Sequence, residues 1–179
     1  VNFAATELTN FLNRITGAEF RISDKPVPGL KTLALGTPYQ AKAVDEISIR
    51  VKDANTLEVT GDGPVGTVYA AYDLLETFGC VFVAHDFAYA PRKSEISLPG
   101  DYAKTDAPFF YEQRSTWSEI AYGGNRNKWS QILRTRMQVT GRKPGIPEDL
   151  VCKRQHDTNH SIGTRWLLTS KFAKTRPDF

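Results

Sequence analysis

The sequence lacks the features that would place this chain in a membrane or hold it together covalently. No apolar run approaches the roughly twenty residues that a membrane-spanning helix needs. The two cysteines, Cys80 and Cys152, do not make the disulfide framework of a small secreted domain. There are no internal repeats and no low-complexity segments. What is left is a chain with 40% hydrophobic and 24% charged residues, the balance of an ordinary soluble globular protein.

A dense run of positive charge is also absent, although the charge is unevenly distributed. Residues 1–103 hold 9 Lys/Arg and 13 Asp/Glu, a net charge of −4, whereas residues 104–179 hold 14 and 7, a net charge of +7. The basic residues of the second part are scattered and lack interleaved aromatic residues, so a solvated face is favoured over a nucleic-acid-binding surface. We therefore expect neither nucleic acid nor membrane as a partner. The change in charge predicts a boundary near residue 103.

The chain is organised around residues 56–86, whose pattern is that of a strand, a glycine turn, a helix and a second strand. Leu57 and Val59 alternate with polar residues, as in a strand with one buried face. Three glycines then form a tight turn, Gly79 ends the helix, and the apolar run at residues 80–84 predicts a strand covered on both faces. The apolar face of the helix consists of Val65, Val68, Tyr69, Tyr72 and Leu75.

The glycine turn also matches a nucleotide-binding fingerprint. Gly61, Gly63 and Gly66 have the spacing of the dinucleotide motif, and Asp86 stands about twenty residues further on. However, the preceding strand is half polar, and we predict it to be the second arm of a hairpin instead of the first strand of a parallel sheet. Pro64 also removes an amide donor that such a loop offers to phosphate. A glycine turn that docks a helix on a sheet is favoured, and nucleotide binding is the alternative.

Residues 1–103 as a whole are predicted to form an α+β unit, a small antiparallel-rich sheet with two helices on one face. Apolar residues at helical spacing between Ala4 and Ile15, followed by Gly17, predict the first helix, and the second spans residues 64–78. The other predicted elements are short strands at Phe20–Ile22, Thr32–Leu35 and Ile96–Leu98, a helical turn within Tyr39–Val44, and a hairpin at residues 47–60 that turns at Asp53–Asn55.

Residues 104–179 cannot bury enough surface to fold alone. They offer a strand at Phe109–Gln113, a helix at Asn125–Met137 and, from Glu148 onward, a tail with few apolar residues. This part is therefore predicted to belong to a larger unit.

The central motif resembles that of a known enzyme family. Its residues run Gly61-Asp62-Gly63-Pro64-x-Gly66-Thr67-x-Tyr69-x-x-Tyr72-Asp73-x-Leu75-Glu76-x-x-Gly79-Cys80. The motif is similar to the helix signature of the small domain that precedes the catalytic barrel in family 67 alpha-glucuronidases and family 20 hexosaminidases (the chitobiase/hexosaminidase domain 2), and to that of related bacterial glycoside hydrolases. The helix up to Gly17 and the segment from Phe87 to Pro99 resemble other parts of the same domain.

The resemblance implies a domain at residues 1–103 and the incomplete start of a (β/α)8 glycosidase barrel at residues 104–179. A barrel needs about 250 residues, so we expect this chain to be an excerpt of a longer enzyme and to be inactive by itself. The family's catalytic carboxylates lie on later barrel strands, and no catalytic residue is assigned here.

The same resemblance implies a polysaccharide or oligosaccharide substrate, with uronic-acid-containing sugars among the candidates. It implies no cofactor, and it implies an extracellular or periplasmic location for the longer enzyme. A stand-alone carbohydrate-binding or interaction module is the alternative to this interpretation.

Three residues are candidates for sugar binding. Arg114 and Trp117 follow the first expected barrel strand, and barrel sites form at the C-terminal ends of the strands. Arginine can hold a uronate carboxylate bidentately and tryptophan can stack on a sugar ring, whereas a salt bridge and a packing layer are the structural alternatives. His160 matches a histidine in the early barrel of the relatives and is the third candidate.

The second part also contains residues of the types that bind metal ions. Cys152, His156 and His160 are four residues apart, so they would share one face of a helix, with Asp157 adjacent. Asp157–Asn159 is poor helix-forming sequence, and the resemblance requires no metal. We therefore expect no metal ion here.

Overall fold

A computed structural model describes residues 1–84, 87–107 and 147–150 of the chain. Two helices and six strands lie in these ranges, together with a short 3₁₀ helix at Glu148–Leu150. In chain order they are α1 (Asn2–Thr16), β1 (Thr32–Leu35), β2 (Ile47–Asp53), β3 (Thr56–Gly61), α2 (Gly63–Thr77), β4 (Val81–Ala84), β5 (Phe87–Tyr89) and β6 (Ala103–Asp106).

Four of the strands form one mixed sheet in the order β1-β3-β2-β6. The hairpin of β2 and β3 is antiparallel, with Ile49 opposite Val59, and β6 adds antiparallel to the other edge of β2. Among the strands that the structure describes, only β1 pairs in parallel, with β3. The sheet is thus mostly antiparallel and the class is α+β, as the sequence predicts.

Helix α1 forms where the apolar residues recur at helical spacing. Ala4, Leu8, Phe11, Leu12 and Ile15 are all buried, so the apolar stripe faces the core. Gly17 ends the helix with a left-handed φ of 72°, and its N–H donates to the Asn13 carbonyl oxygen at 2.9 Å. This terminator is the one that the sequence predicts.

Helix α2 is buried on more than the one predicted face. Every residue from Gly66 to Leu75 is buried, because α2 packs against β2 and β3 and also against α1. At its end, the Gly79 N–H donates to Glu76 O at 2.8 Å, and the Cys80 N–H donates to Leu75 O at 3.0 Å. With Gly79 at a φ of 95°, this is a Schellman termination, so the predicted role of this glycine is confirmed.

The two helices are joined by both polar and aromatic contacts. The Tyr72 hydroxyl donates to the Glu7 carboxylate at 2.8 Å, a bond that is buried in the core. Phe82 of β4 then packs edge-on against Phe11 of α1 and Tyr72 of α2, with ring centroids 5.2 and 5.3 Å apart. One continuous core therefore includes α1, α2 and the inner side of β4.

Three local predictions are wrong. Phe20–Ile22 is not a strand: the Phe20 N–H donates to the Asn13 side-chain oxygen at 2.7 Å, and Ile22 is 59% exposed, so this segment has no sheet neighbour. Tyr39–Val44 forms bends and a turn instead of a helical turn. Ile96 and Leu98 pack on the core without strand pairing, and the last strand of the sheet follows them at β6.

The prediction for residues 80–84 is also wrong in part. These residues do enter a strand, β4, but it pairs with β5 in a separate two-stranded sheet, and only one face of β4 packs on the core. Phe82 points to the core, whereas Val83 is 74% exposed.

The chain after the predicted boundary contributes to the first unit. Strand β6 begins at Ala103 and continues through Asp106, so pairing with β2 crosses residue 103. Leu150 is only 2% exposed and belongs to the core, and its 3₁₀ helix contacts α2. The predicted strand at Phe109–Gln113 and helix at Asn125–Met137, and with them the barrel start, lie outside the described residues, and the domain boundary remains a prediction.

Truncation of Leu75 should destabilise the unit strongly. Leu75 is 0% exposed on α2, so Leu75→Ala should cost roughly 2–5 kcal/mol of unfolding free energy through lost burial and a cavity. Val27→Ala is the matched control, because Val27 is 47% exposed and should change stability by less than about 0.5 kcal/mol. Urea unfolding followed by circular dichroism measures both, and equal costs would contradict this description of the core.

Candidate functional site

The glycine turn between β3 and α2 is a close contact between two backbone segments. A Cβ atom on Gly61 would lie 2.5 Å from both the Glu46 carbonyl oxygen and the Gly66 carbonyl carbon. A Cβ atom on Gly66 would lie 2.8 Å from the same Glu46 oxygen. Gly63 has open space around it but a left-handed φ of 62°. Two of the glycines are therefore required by proximity and the third by its backbone conformation.

Glu46, directly before β2, is the centre of a hydrogen-bonded cluster at this turn. Its carboxylate accepts hydrogen bonds from the Tyr39 hydroxyl and from the backbone N–H groups of Lys42 and Ala43, the last two at 3.1 and 3.0 Å. Its carbonyl oxygen accepts the Asp62 N–H at 2.7 Å. One residue thus ties the loop before β2 to the start of α2, and we call this arrangement the Glu46 clamp.

Asp62 completes the turn from the other side. Its carboxylate accepts the N–H of Asp45 at 3.1 Å, and Asp45 has a left-handed φ of 56°. Its carbonyl oxygen accepts the Gly66 N–H at 3.2 Å, which closes the first turn of α2. Nearby, the Thr60 hydroxyl donates to Thr37 O at 2.9 Å. The polar groups of the turn are used to hold neighbouring loops.

The clamp keeps Glu46 ionised. The hydrogen bond from Tyr39 is the largest cause that lowers the pKa of Glu46; burial opposes it, and the Lys42 and Ala43 N–H groups add to it. Burial, and secondly the Glu46 carboxylate, raise the pKa of Tyr39. A carboxylate with a lowered pKa is a poor general acid near neutral pH. The contacts of the Glu46 carboxylate hold the loop before β2 in place.

This geometry is unfavourable for the nucleotide-binding alternative. In a dinucleotide-binding unit the helix leads to a parallel strand of the same sheet, whereas α2 leads to β4, which lies in another sheet. The carboxylates of Glu46 and Asp62 also stand at the turn, and they would repel a phosphate. Asp86, the expected ribose ligand, lies outside the described residues. A glycine turn that docks a helix on a sheet agrees better with these contacts.

The other buried acids are also held by identifiable partners. Glu58 of β3 makes ion pairs with Arg50 and Lys52, and Arg50 is the largest cause that lowers the pKa of Glu58. Asp73 of α2 accepts two bonds of 2.8 Å from the Lys104 ammonium on β6. These pairs connect neighbouring elements of the fold.

The part of the chain that the structure describes contains neither a candidate metal-ion site nor a reactive cysteine. Across residues 1–84, 87–107 and 147–150, no group of three or more His, Cys, Asp and Glu residues could hold a metal ion. Burial raises the pKa of the Cys80 thiol to about 11, so it stays protonated and is a poor nucleophile. In the same ranges no helix is long and apolar enough to cross a membrane.

The residues that the sequence singles out for sugar and metal binding lie outside the part of the chain that the structure describes. Arg114, Trp117 and His160 lie outside the described residues, and their roles in sugar binding stay predictions. The set of Cys152, His156, Asp157 and His160 also lies outside them. The Glu46 clamp was missed, because a single acid before an apolar strand leaves no periodic signal in the sequence.

No protein-family model matches this sequence, and no curated protein is significantly similar to it. The resemblance to the glycoside hydrolase domain therefore remains a prediction that depends on the residues of the α2 motif.

Substitution of Gly66 should show that the turn is set by close contact. Alanine normally stabilises a helix interior relative to glycine, but here its Cβ would meet the Glu46 carbonyl, so Gly66→Ala should cost roughly 1–3 kcal/mol through overpacking. Gly100→Ala is the control, because a Cβ there meets no atom within 4 Å. Thermal and urea unfolding measure both variants. A Gly66→Ala protein as stable as the parent would contradict the contact.

The Glu46 clamp predicts a pH dependence with a definite sign. Since the folded-state pKa of Glu46 is lowered, its stabilisation is present above the ordinary pKa and is lost as the pH falls through the folded-state value. We expect Glu46→Gln to be less stable than the parent at neutral pH and to lose less stability below about pH 5.

Tyr39→Phe is the matched variant, because it keeps the carboxylate but removes the hydroxyl donor. The folded-state pKa of Glu46 should rise toward its ordinary value, so the stability curve should level off at a higher pH than that of the parent. Urea unfolding at a series of pH values measures all three proteins. Parallel curves for Glu46→Gln and the parent would argue against the clamp.

Proposed function

We propose that this chain is the non-catalytic N-terminal domain and the barrel start of a glycoside hydrolase that acts on a polysaccharide or oligosaccharide. Uronic-acid-containing sugars are among the candidate substrates. The proposal depends mainly on the structural role of the α2 motif. The residues on which the resemblance depends, Gly61 to Cys80, serve to turn, pack and end a buried helix. A motif used in this way fits a structural domain beside an active site.

The positions of the acids support a non-catalytic role for the described unit. A glycosidase needs two carboxyl groups about 5–9.5 Å apart that flank a bound sugar. Glu7, Glu46, Glu58 and Asp73 are the largely buried acids of the described residues, and each is engaged in a contact that joins two parts of the fold. Chemistry on a sugar is therefore assigned to residues beyond this unit.

The described contacts also support a unit that is built together with the chain that follows it. β6 brings the chain out at the edge of the sheet, and Leu150 returns to the core against α2. Residues on both sides of the intervening segment thus belong to one packed body. Such an arrangement suits a domain that supports a neighbouring barrel.

A carbohydrate-binding module is the second candidate, and one observation favours it. Phe87 and Tyr89 of β5 are 49% and 51% exposed, and exposed aromatic rings can stack on sugars. Interaction of these rings with oligosaccharides would give the chain a binding role without a catalytic one.

Enzyme assays separate the proposal from its competitors. The 179-residue chain should not hydrolyse a panel of aryl glycosides that includes aryl glucuronides, because the family resemblance implies that the catalytic carboxylates lie on barrel strands beyond these residues. A longer protein that carries a complete barrel should hydrolyse at least one member of the panel. Turnover by the 179-residue chain, or none by the longer protein, would refute the proposal.

Titration calorimetry with oligosaccharides is the companion measurement on the same chain. Binding that is abolished by Phe87→Ser and Tyr89→Ser, together with an inactive longer protein, would favour the binding-module alternative.

A further inference from the structure

Strand β1 lies at one edge of the four-stranded sheet, and among the described residues no strand lies beyond it. The Thr32 N–H donates at 2.7 Å to the residue before β3, and the Gly36 N–H donates to Val59 O of β3 at 3.1 Å. The backbone groups of successive residues in a strand point to opposite sides. The N–H and C=O groups of Leu33 and Leu35 therefore point away from β3, along the open edge.

Apart from its length of four residues, this edge has none of the devices that usually keep a sheet edge from pairing. Those devices are charged side chains, proline and bulges. The strand reads Thr-Leu-Ala-Leu, and its register with β3 is regular throughout. By contrast β6, at the other edge, contains Lys104 and Asp106. The outward backbone groups of β1 are thus available to a further strand.

The two faces of β1 present different side chains to such a strand. Leu33 and Leu35 lie on the core side, where they are half-buried and pack against the core. Ala34 alternates with them and lies on the outer side, in register with Glu58. An added strand would cover the exposed parts of the two leucines on one face and would meet a small side chain on the other.

The edge is complementary to a second copy of itself. When two β1 strands pair antiparallel about a two-fold axis at Ala34, Leu33 of each copy stands opposite Leu35 of the other. These are hydrogen-bonded positions, so each Leu33–Leu35 pair exchanges both of its N–H···O bonds. Ala34 stands opposite its own counterpart at a position without hydrogen bonds, where the Cα atoms approach to about 4.5 Å and a small side chain fits.

The charges near β1 do not oppose this pairing. Lys31, directly before the strand, stands opposite Thr37 of the other copy in the antiparallel register. The two Lys31 residues are then six positions apart along the paired strands, which is about 20 Å. That separation exceeds the Debye length of about 8 Å at physiological ionic strength, so their repulsion is largely screened.

We propose that two copies of this chain associate through antiparallel pairing of their β1 strands, which joins their sheets into one. The inference is independent of the glycoside hydrolase proposal, since it uses only the edge of the sheet. An unrelated extended peptide would find the same backbone groups, but a second copy also supplies leucines beside Leu33 and Leu35 and an alanine at the axis. A contact this short buries little surface, so the dimer is weak.

Sedimentation equilibrium of the 179-residue chain at concentrations up to about 0.5 mM measures the association. Ala34→Lys places two like charges opposite each other at the axis and should weaken the association roughly five-fold at low ionic strength. Ala103→Lys is the matched control. Ala103 lies in the same cross-strand row, next to Arg50 on the far edge strand β6, and its substitution should leave the association unchanged.

A charge-reversed mixture makes the test specific for the two-fold axis. Ala34→Lys mixed with Ala34→Glu should associate more strongly than either variant alone, because opposite charges then meet at the axis. Urea unfolding checks that each variant is folded. If Ala34→Glu fails to fold beside Glu58, the decision is made on Ala34→Lys, whose association should recover in about 1 M salt because the repulsion is screened.

Four outcomes would overturn the proposal. The first is a chain that stays monomeric over the whole concentration range. The second is a folded Ala34→Lys protein that associates as strongly as the parent. The third is an Ala103→Lys protein that loses as much association as Ala34→Lys. The fourth is assembly beyond two copies, since the two-fold pairing uses the β1 edge of both chains and leaves none for a third.

Discussion

The structure depends on the approach of Gly61 to Gly66 beneath the Glu46 carbonyl oxygen. This contact brings the end of β3, the first turn of α2 and the entry to β2 within van der Waals distance, with no space for a side chain. It therefore sets where α2 lies on the sheet. Since α1 packs on α2, and Phe82 of β4 packs on both helices, the remaining layers take their positions from the same contact.

Polar groups in the core act as connectors between elements. Glu7 links the helices, Glu46 links a loop to α2 through the glycine turn, and the Asp73–Lys104 pair links α2 to the edge of the sheet. A buried acid is costly unless it is paired or hydrogen-bonded, so each of these groups restricts how its two elements can be arranged. This use of acids fits the proposal that the unit supports a neighbouring active site.

Elements with a strong local pattern could be predicted from the sequence, and elements defined by a distant neighbour could not. Each well-predicted element has its pattern within its own residues: the apolar spacing from Ala4 to Ile15, the terminating glycines at positions 17 and 79, and the alternation around Val59. The predicted bounds of the two helices and of the β2–β3 hairpin are correct within one or two residues. β6 has little apolar alternation and exists because β2 offers it an edge. Phe20–Ile22 has the opposite character, since it alternates but has no strand beside it. The Glu46 clamp joins three separate segments of the chain, so it could not be predicted from the pattern within any one of them.

The order of the strands has a consequence for synthesis on the ribosome. β2 cannot complete its hydrogen bonding until β6 has been made, and the Glu7–Tyr72 bond joins residues that are 65 positions apart. Contacts at such separations form late, because the entropy of closing a long loop is lost before the contact can stabilise the fold. Leu150, which also belongs to the core, is made later still. The α1 stripe stays uncovered until α2 has been made, so the partly synthesised chain exposes an apolar surface of the kind that chaperones bind.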